Sequence, residues 1–310
     1  MRLRGQSPSR KNGFVLLSVL ILCSVLISCA TAFTWFVRTQ ARSVGRGRRA
    51  IEVRSMAYTL SQAVINVVAQ MGEHVEADSP SQKWYQPLIL PFGSDAGSLG
   101  LWAAQITPLD DKLPLRSMFL PDGNTLRREL SDIWEKMWEA LGHRGLEQIL
   151  LDFMDRNTRA RVGSVEYDWY INRPPYDMSE LLLLSADITP SLLERLEEYC
   201  TIYSDGRINL NTAPVEVMEL LPGLDVGGLA QRLAQMRQEE PLTSLSDVQN
   251  IPGAGPKTST QLTNIATFKS RYFLLKIDLL EDRTGSTEGG TSFRIIFDRT
   301  TKGIVRWEES

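Results

Sequence analysis

From Phe14 to Val37 the chain carries no charged side chain. At 1.5 Å per residue this run of ~24 residues makes a helix of roughly 36 Å, enough to cross a ~30 Å hydrocarbon core with some tilt. Arg2, Arg4, Arg10 and Lys11 stand before it. By the positive-inside rule this predicts a cytoplasmic start, with the bulk of the chain on the far side of the membrane. Beyond the run, Ile51, Met56, Tyr58, Leu60, Val64, Val67, Val68 and Met71 recur at spacings compatible with a 3.6-residue period. The helix is therefore expected to continue, amphipathic, to about residue 72. No proline falls between Lys11 and Asp78, and Gly45 and Gly47 weaken the helix without breaking it.

Asp78 to Asp95 turns to Ser, Pro, Gly and Gln and predicts a loop. Leu101–Thr107 reads as a strand, Asp110-Asp111 as a turn, and Leu113–Phe119 as a returning strand that Pro114 confines to an edge. Helical spacing begins at Leu126. Leu130, Ile133, Trp134, Met137, Trp138 and Leu141 form one stripe ending at Gly142, and Gly145–Met154 predicts a second helix. Thr189-Pro190 opens another, with Pro at its first position.

Residues 208–265 hold an internal repeat. Thr212 is expected to cap a short helix. Leu221-Pro222-Gly223 and Ile251-Pro252-Gly253, 30 positions apart, each open a turn into a helix and resemble a pair of helix-hairpin-helix units. Three strands close the chain at Tyr272–Leu280, Ser292–Asp298 and Ile304–Trp307. Two strands alone are marginal, so one sheet interrupted by a helical insertion explains this order best. The expected fold is α+β: a long N-terminal helix on an antiparallel sheet, with a large helical, helix-hairpin-helix-like insertion.

Composition adds bounds. The 310 residues are 43% hydrophobic and 23% charged, enough for folded units beyond the helix. A net charge of −3 argues against a protein built to grip a polyanion everywhere. Cys23 and Cys29 lie in the membrane run, which leaves Cys200 alone in the soluble part. His74 and His143 are the only histidines, and no raised carboxyl pairs with a nucleophile, so no catalysis is expected.

Four constellations carry candidate chemistry. Asp152, Asp155, Asn157, Glu166 and Asp168 supply oxygen ligands of the kind Ca²⁺ takes, although the spacing is not that of an EF-hand. The paired Pro-Gly turns are similar to those of DNA-binding hairpins, where turn N–H groups meet a phosphate. The second, with Gly253, Gly255 and Lys257, partly qualifies; in the first, Asp225 stands where a phosphate would approach. Leu26-Ile27-Ser28-Cys29 fits a lipobox, yet Ala30–Val37 continues the apolar run. A plain signal anchor needs no Gly13, and a cleaved Sec signal would have a shorter apolar core. The cluster Arg38, Arg42, Arg46, Arg48 and Arg49 is compatible with lipid head groups, with nucleic acid or with a solvated helix face.

The basic leader ending Arg10-Lys11-Asn12-Gly13-Phe14 resembles a type IV prepilin-like signal, cut between Gly13 and Phe14 with N-methylation of Phe14. The fifth residue after that cut is the neutral Ser18, where most pilins and pseudopilins carry Glu. Leu151–Asn157, Gly163, Glu166, Asp168 and Trp169-Tyr170 are similar to the acidic segment of the general secretion pathway protein K (GspK) family. Ser179–Leu182, Ile188-Thr189-Pro190 and Ile208–Pro214 continue that pattern in the family's order. The chain departs from it at Asn157 and Tyr167, where acids are usual.

This resemblance implies a minor pseudopilin at the tip of a type II secretion pseudopilus, which helps initiate and cap assembly for export of folded proteins. It implies a single-pass inner-membrane protein with a periplasmic C-terminal domain. Its partners would be the I- and J-type minor pseudopilins, the major pseudopilin and prepilin peptidase, with no nucleic acid. It also implies an assembly role at Ser18 and Ca²⁺ on Asp152, Asp155, Asn157, Glu166 and Asp168. The expected organisation is a leader over 1–13 and a helix over 14–72, with 14–37 in the membrane. A pilin-like α/β domain would span 73–125 and 268–310, around a helical, SAM-like insertion over 126–267. A membrane-anchored DNA-binding protein and a lipoprotein adaptor are the alternatives.

Overall fold

A computed structural model describes residues 11–94, 98–184, 187–281 and 291–310. Two compact units are present, Met1–Tyr58 and Thr59–Ser310.

Helix α1 (Lys11–His74) runs unbroken through Gly45 and Gly47. The large apolar side chains from Leu17 to Val37 are exposed, and the helix is long and apolar enough to cross a membrane. Ser24, Ser28, Thr31 and Thr34 return their hydroxyls to carbonyls one turn back, at 2.8–2.9 Å. Those polar groups are thus satisfied inside the helix, as a lipid environment demands.

Within the second unit the last turns of α1 bury Leu60, Ser61, Val64, Ile65, Val68 and Ala69. This corrects the predicted stripe, because Ile51, Tyr58, Val67 and Met71 are exposed. The buried face is a double row at i, i+4 and i+8 that includes small residues, which a search for large apolar side chains passes over.

Five antiparallel strands form the sheet: β1 (Leu88–Ser94), β2 (Ser98–Pro108), β3 (Tyr272–Glu281), β4 (Ser292–Asp298) and β5 (Gly303–Glu309). Their order in the sheet is their order in the chain. Alternate residues bury one face: Trp102, Ala104 and Ile106 on β2, Phe273, Leu275 and Ile277 on β3, and Phe293, Ile295 and Phe297 on β4. Two strand expectations need correction. β1 lies inside the stretch expected to be loop, its β pattern interrupted by Pro91 and Gly93; an edge strand tolerates both. Leu113–Phe119 is no sheet strand. Only Leu113-Pro114 pairs, in parallel with Cys200-Thr201, before a 3₁₀ turn at Leu115–Ser117.

Between β2 and β3 lie α2 (Arg128–Leu141), α3 (Leu146–Met154), α4 (Pro190–Tyr199), α5 (Val215–Met218), α6 (Leu229–Glu239), α7 (Leu245–Gln249) and α8 (Pro256–Leu262). They share one core with Leu113, Leu115 and Met118, built around Trp134, Trp138, Phe153 and Leu196. Local signals set the ends: Gly142 adopts a left-handed φ of 77° after α2, and Leu192 N–H donates to Thr189 Oγ1 (3.2 Å) at the start of α4. Thr212 does not cap α5. Its hydroxyl donates to Asn209 O, and Pro214 holds the capping position. The Ile208–Pro214 segment instead works through two buried asparagines. Asn209 donates to Ser270 Oγ (2.9 Å), and Asn211 both donates to and accepts from Leu242 backbone groups (2.8 and 2.9 Å).

Two buried carboxylates, one after α1 and one after β2, hold the segment that leads back into β3. Asp78, just past α1, accepts from Ser270 N (2.7 Å) and Arg299 Nη1 (2.9 Å). Asp110, just past β2, accepts from Asp205 N (3.0 Å), Arg271 N (2.7 Å) and Tyr272 N (2.8 Å). The points where the chain leaves the sheet and re-enters it are thus held on the same side chain.

Candidate functional site

Residues 1–10 of the predicted leader lie outside the described residues. Gly13 and Phe14 fall in the first turns of α1, and Ser18, exposed and neutral, follows one turn later. Cys29 sits in mid-helix, and α1 continues to His74 beyond it.

The acidic segment is organised by a residue that composition did not single out. Asp152 and Asp155 are both 0% exposed. Arg161 N–H donates to Asp152 Oδ1 and Oδ2 (3.2 and 2.9 Å), and its Nε lies 3.2 Å from Oδ1. Arg161 Nη2 donates to Asp155 Oδ2 (2.9 Å) and to Asn124 O (2.8 Å). Asn157 N–H donates to the remaining Asp155 oxygen (3.2 Å). The guanidinium also lies over the Phe119 ring, 5.5 Å from its centroid. Burial pushes the Asp155 carboxyl above the usual range, while Arg161 pulls it back.

The other predicted ligands are placed differently. Asn157 Oδ1 accepts from Arg159 N (2.8 Å) in a local turn, and Asp168 is exposed. Glu166 keeps both oxygens buried without a hydrogen-bond donor. Burial first, then the charges of Asp152 and Asp155, raise its pKa, against a smaller opposing pull from the Asn172 side chain. Ser164 Oγ and Asn172 Oδ1 are likewise buried acceptors without a donor, and neither stood out in the sequence.

Among the described residues, no three His, Cys, Asp or Glu side chains gather to hold a metal. Calcium takes 6–8 oxygens at 2.3–2.6 Å. The two aspartates best placed to start such a shell have every oxygen already engaged by Arg161 and backbone N–H groups. The five residues therefore do not fit as a calcium shell, and the Arg161 guanidinium supplies the positive charge between Asp152 and Asp155.

The paired turns are built for packing. Asp225 accepts from Gly223 N (3.1 Å) and pairs with Lys136 Nζ (2.6 Å), so a carboxylate caps the first turn. Arg232 donates to Pro252 O and to Gly227 O, tying the second turn to the start of α6. Gly223, at φ 82°, brings its turn against α8: a Cβ there would stand 3.1 Å from Thr258 Cα and 2.8 Å from Gln261 Oε1. Gly163, at φ 90°, has nothing within 4 Å. In urea titrations Gly163→Ala should cost about 1–2 kcal/mol, the strain of a left-handed residue. Gly223→Ala should cost at least about 1 kcal/mol more, because helix α8 must give way as well. Equal costs would show that the turns do not pack as described.

No protein-family model matches the chain, and no curated protein matches it. Among solved structures, the chain is similar to one chain of the crystal structure of the GspK–GspI–GspJ complex from the enterotoxigenic Escherichia coli type 2 secretion system. The TM-score is 0.62 at 15% sequence identity, over 87% of this chain and 99% of that one. At that identity the likeness is one of fold: a long apolar N-terminal helix and an antiparallel sheet in a pilin-like arrangement.

Proposed function

We propose that the protein is a minor pseudopilin of the K type, placed at the tip of a type II secretion pseudopilus. The observation that carries this reading is the fold likeness to a chain of the GspK–GspI–GspJ complex, which extends over nearly the whole of both chains. It is supported by the Lys11-Asn12-Gly13-Phe14 junction at the start of a membrane-length helix. On this reading prepilin peptidase cuts after Gly13 and methylates Phe14, and the helix from Phe14 packs beside those of I- and J-type subunits, above the major pseudopilin. The neutral Ser18 lacks the carboxylate that would pair with another subunit's terminal amine, which suits a subunit with neighbours below and none above. The role is assembly and export of folded proteins rather than catalysis, from an inner-membrane anchor with the second unit in the periplasm.

The test is the mass and N-terminal sequence of the mature protein, with and without prepilin peptidase. A peptidase-dependent N-methyl-Phe14, lost in Gly13→Val, is the expected result. An intact Met1 would overturn the reading, and a lipidated Cys29 would replace it with a lipoprotein.

A further inference from the structure

No Asp or Glu precedes Glu52, although the whole chain carries a net charge of −3. Positive charge is therefore segregated into the first unit. It is also ordered there: at 100° per residue, Arg38, Arg42, Arg46 and Arg49 fall within an arc of about 80° on one face of α1, spread over about 16 Å of its length. Arg48 points elsewhere and pairs with Glu52 (2.9 Å). Arg38, Arg42 and Arg46 are exposed, and among the described residues no acid pairs with them.

This face starts where the apolar run ends. Phe33, Trp35 and Phe36 are 68%, 71% and 54% exposed in the turn before Arg38. Aromatic side chains favour the membrane–water boundary, which sets the depth of the helix. Head groups extend some 5–7 Å beyond the hydrocarbon core. Arg38 and Arg42 then stand at phosphate level, and Arg46 reaches back along its aliphatic stem. Guanidinium groups bind phosphate bidentately and keep their charge at any physiological pH.

We infer that the Arg38–Arg42–Arg46 face of α1 is a binding surface for anionic phospholipid head groups. It is a docking site separate from any packing of the span itself, and it does not depend on the pseudopilin reading. It also gives the basic cluster beyond the span a counter-charge, where the positive-inside rule alone would set it against the basic leader. Each guanidinium near an anionic surface contributes about a fivefold preference, so three give about a hundredfold.

The full-length chain is reconstituted into vesicles of phosphatidylcholine with a minority of phosphatidylglycerol. It is then extracted in mild detergent, and the co-purifying lipid is quantified by mass spectrometry. Phosphatidylglycerol should be enriched at least tenfold over the vesicle ratio. The enrichment should fall with salt and vanish in the triple variant Arg38→Gln, Arg42→Gln, Arg46→Gln, whose helix content by circular dichroism stays that of the parent. A lipid ratio equal to the vesicle's overturns the inference, as does enrichment that survives in the triple variant. Displacement of the lipid by duplex DNA at equal phosphate concentration would overturn it in favour of nucleic acid.

Discussion

Arg161→Ala should destabilise the second unit by about 3–5 kcal/mol, because it strips the cation that pairs, among the described residues, with two fully buried carboxylates. The loss is large for the same reason that the intact arrangement is worth little net: desolvating Asp152 and Asp155 is costly, and Arg161 offsets that cost only while present. Arg161→Lys should recover less than half. An ammonium is a point charge and cannot span Asp152 and Asp155 while also reaching Asn124 O. Because Arg161 holds the place of a cation, the wild-type unfolding midpoint should be the same in EDTA and in millimolar calcium. A rise of several degrees with calcium would overturn that role for Arg161.

Asp110→Ala should cost about 3 kcal/mol at neutral pH. Three N–H donors in part-buried hydrogen bonds, of Asp205, Arg271 and Tyr272, lose their acceptor at ~1 kcal/mol or more each, partly offset by removal of a buried charge. The pH dependence separates these two contributions. Burial pushes Asp110 up to about 6 from an ordinary 3.8, against the pull of its three backbone donors. The folded state therefore holds a proton that the unfolded chain has released between about pH 4 and 6. Its stabilising contribution is complete below pH 4 and is lost as pH rises through 6. The difference in stability between wild type and Asp110→Ala should accordingly widen by about 2–3 kcal/mol on going from pH 7 to pH 4. A difference that is flat with pH would mean that Asp110 is ionised throughout in the folded state.

What the sequence disclosed was local. The uncharged run of α1, the apolar runs of β3 to β5, the Gly142 stop and the Thr189-Pro190 start each carry their signal within a few residues. β1 was hidden because Pro91 and Gly93 interrupt its pattern, and only its edge position makes them acceptable. Leu113 and Leu115 alternate as a strand would, yet the helical core claims both. The acidic segment was visible as a set of residue types, but its partner Arg161 was not, since no periodicity links a buried aspartate to the guanidinium that neutralises it. Asp78 passed as the start of a loop and Asp110 as a turn residue for the same reason: their donors include Ser270, Arg271 and Tyr272, far along the chain at the other end of the helical region.

That closure by Asp110 bears on how the molecule folds. β2 and β3 are neighbours in the sheet although all of Leu109–Arg271 lies between them. Were that intervening chain still a flexible coil, β-pairing would bear the entropy of closing a very long loop. A helical region with a core of its own shortens the effective loop to the gap between its two ends, which one carboxylate spans. The sheet's slow, non-local pairing thereby becomes a late step that follows helical collapse. The folding rate of the second unit is then governed by the helices rather than by the strands they separate.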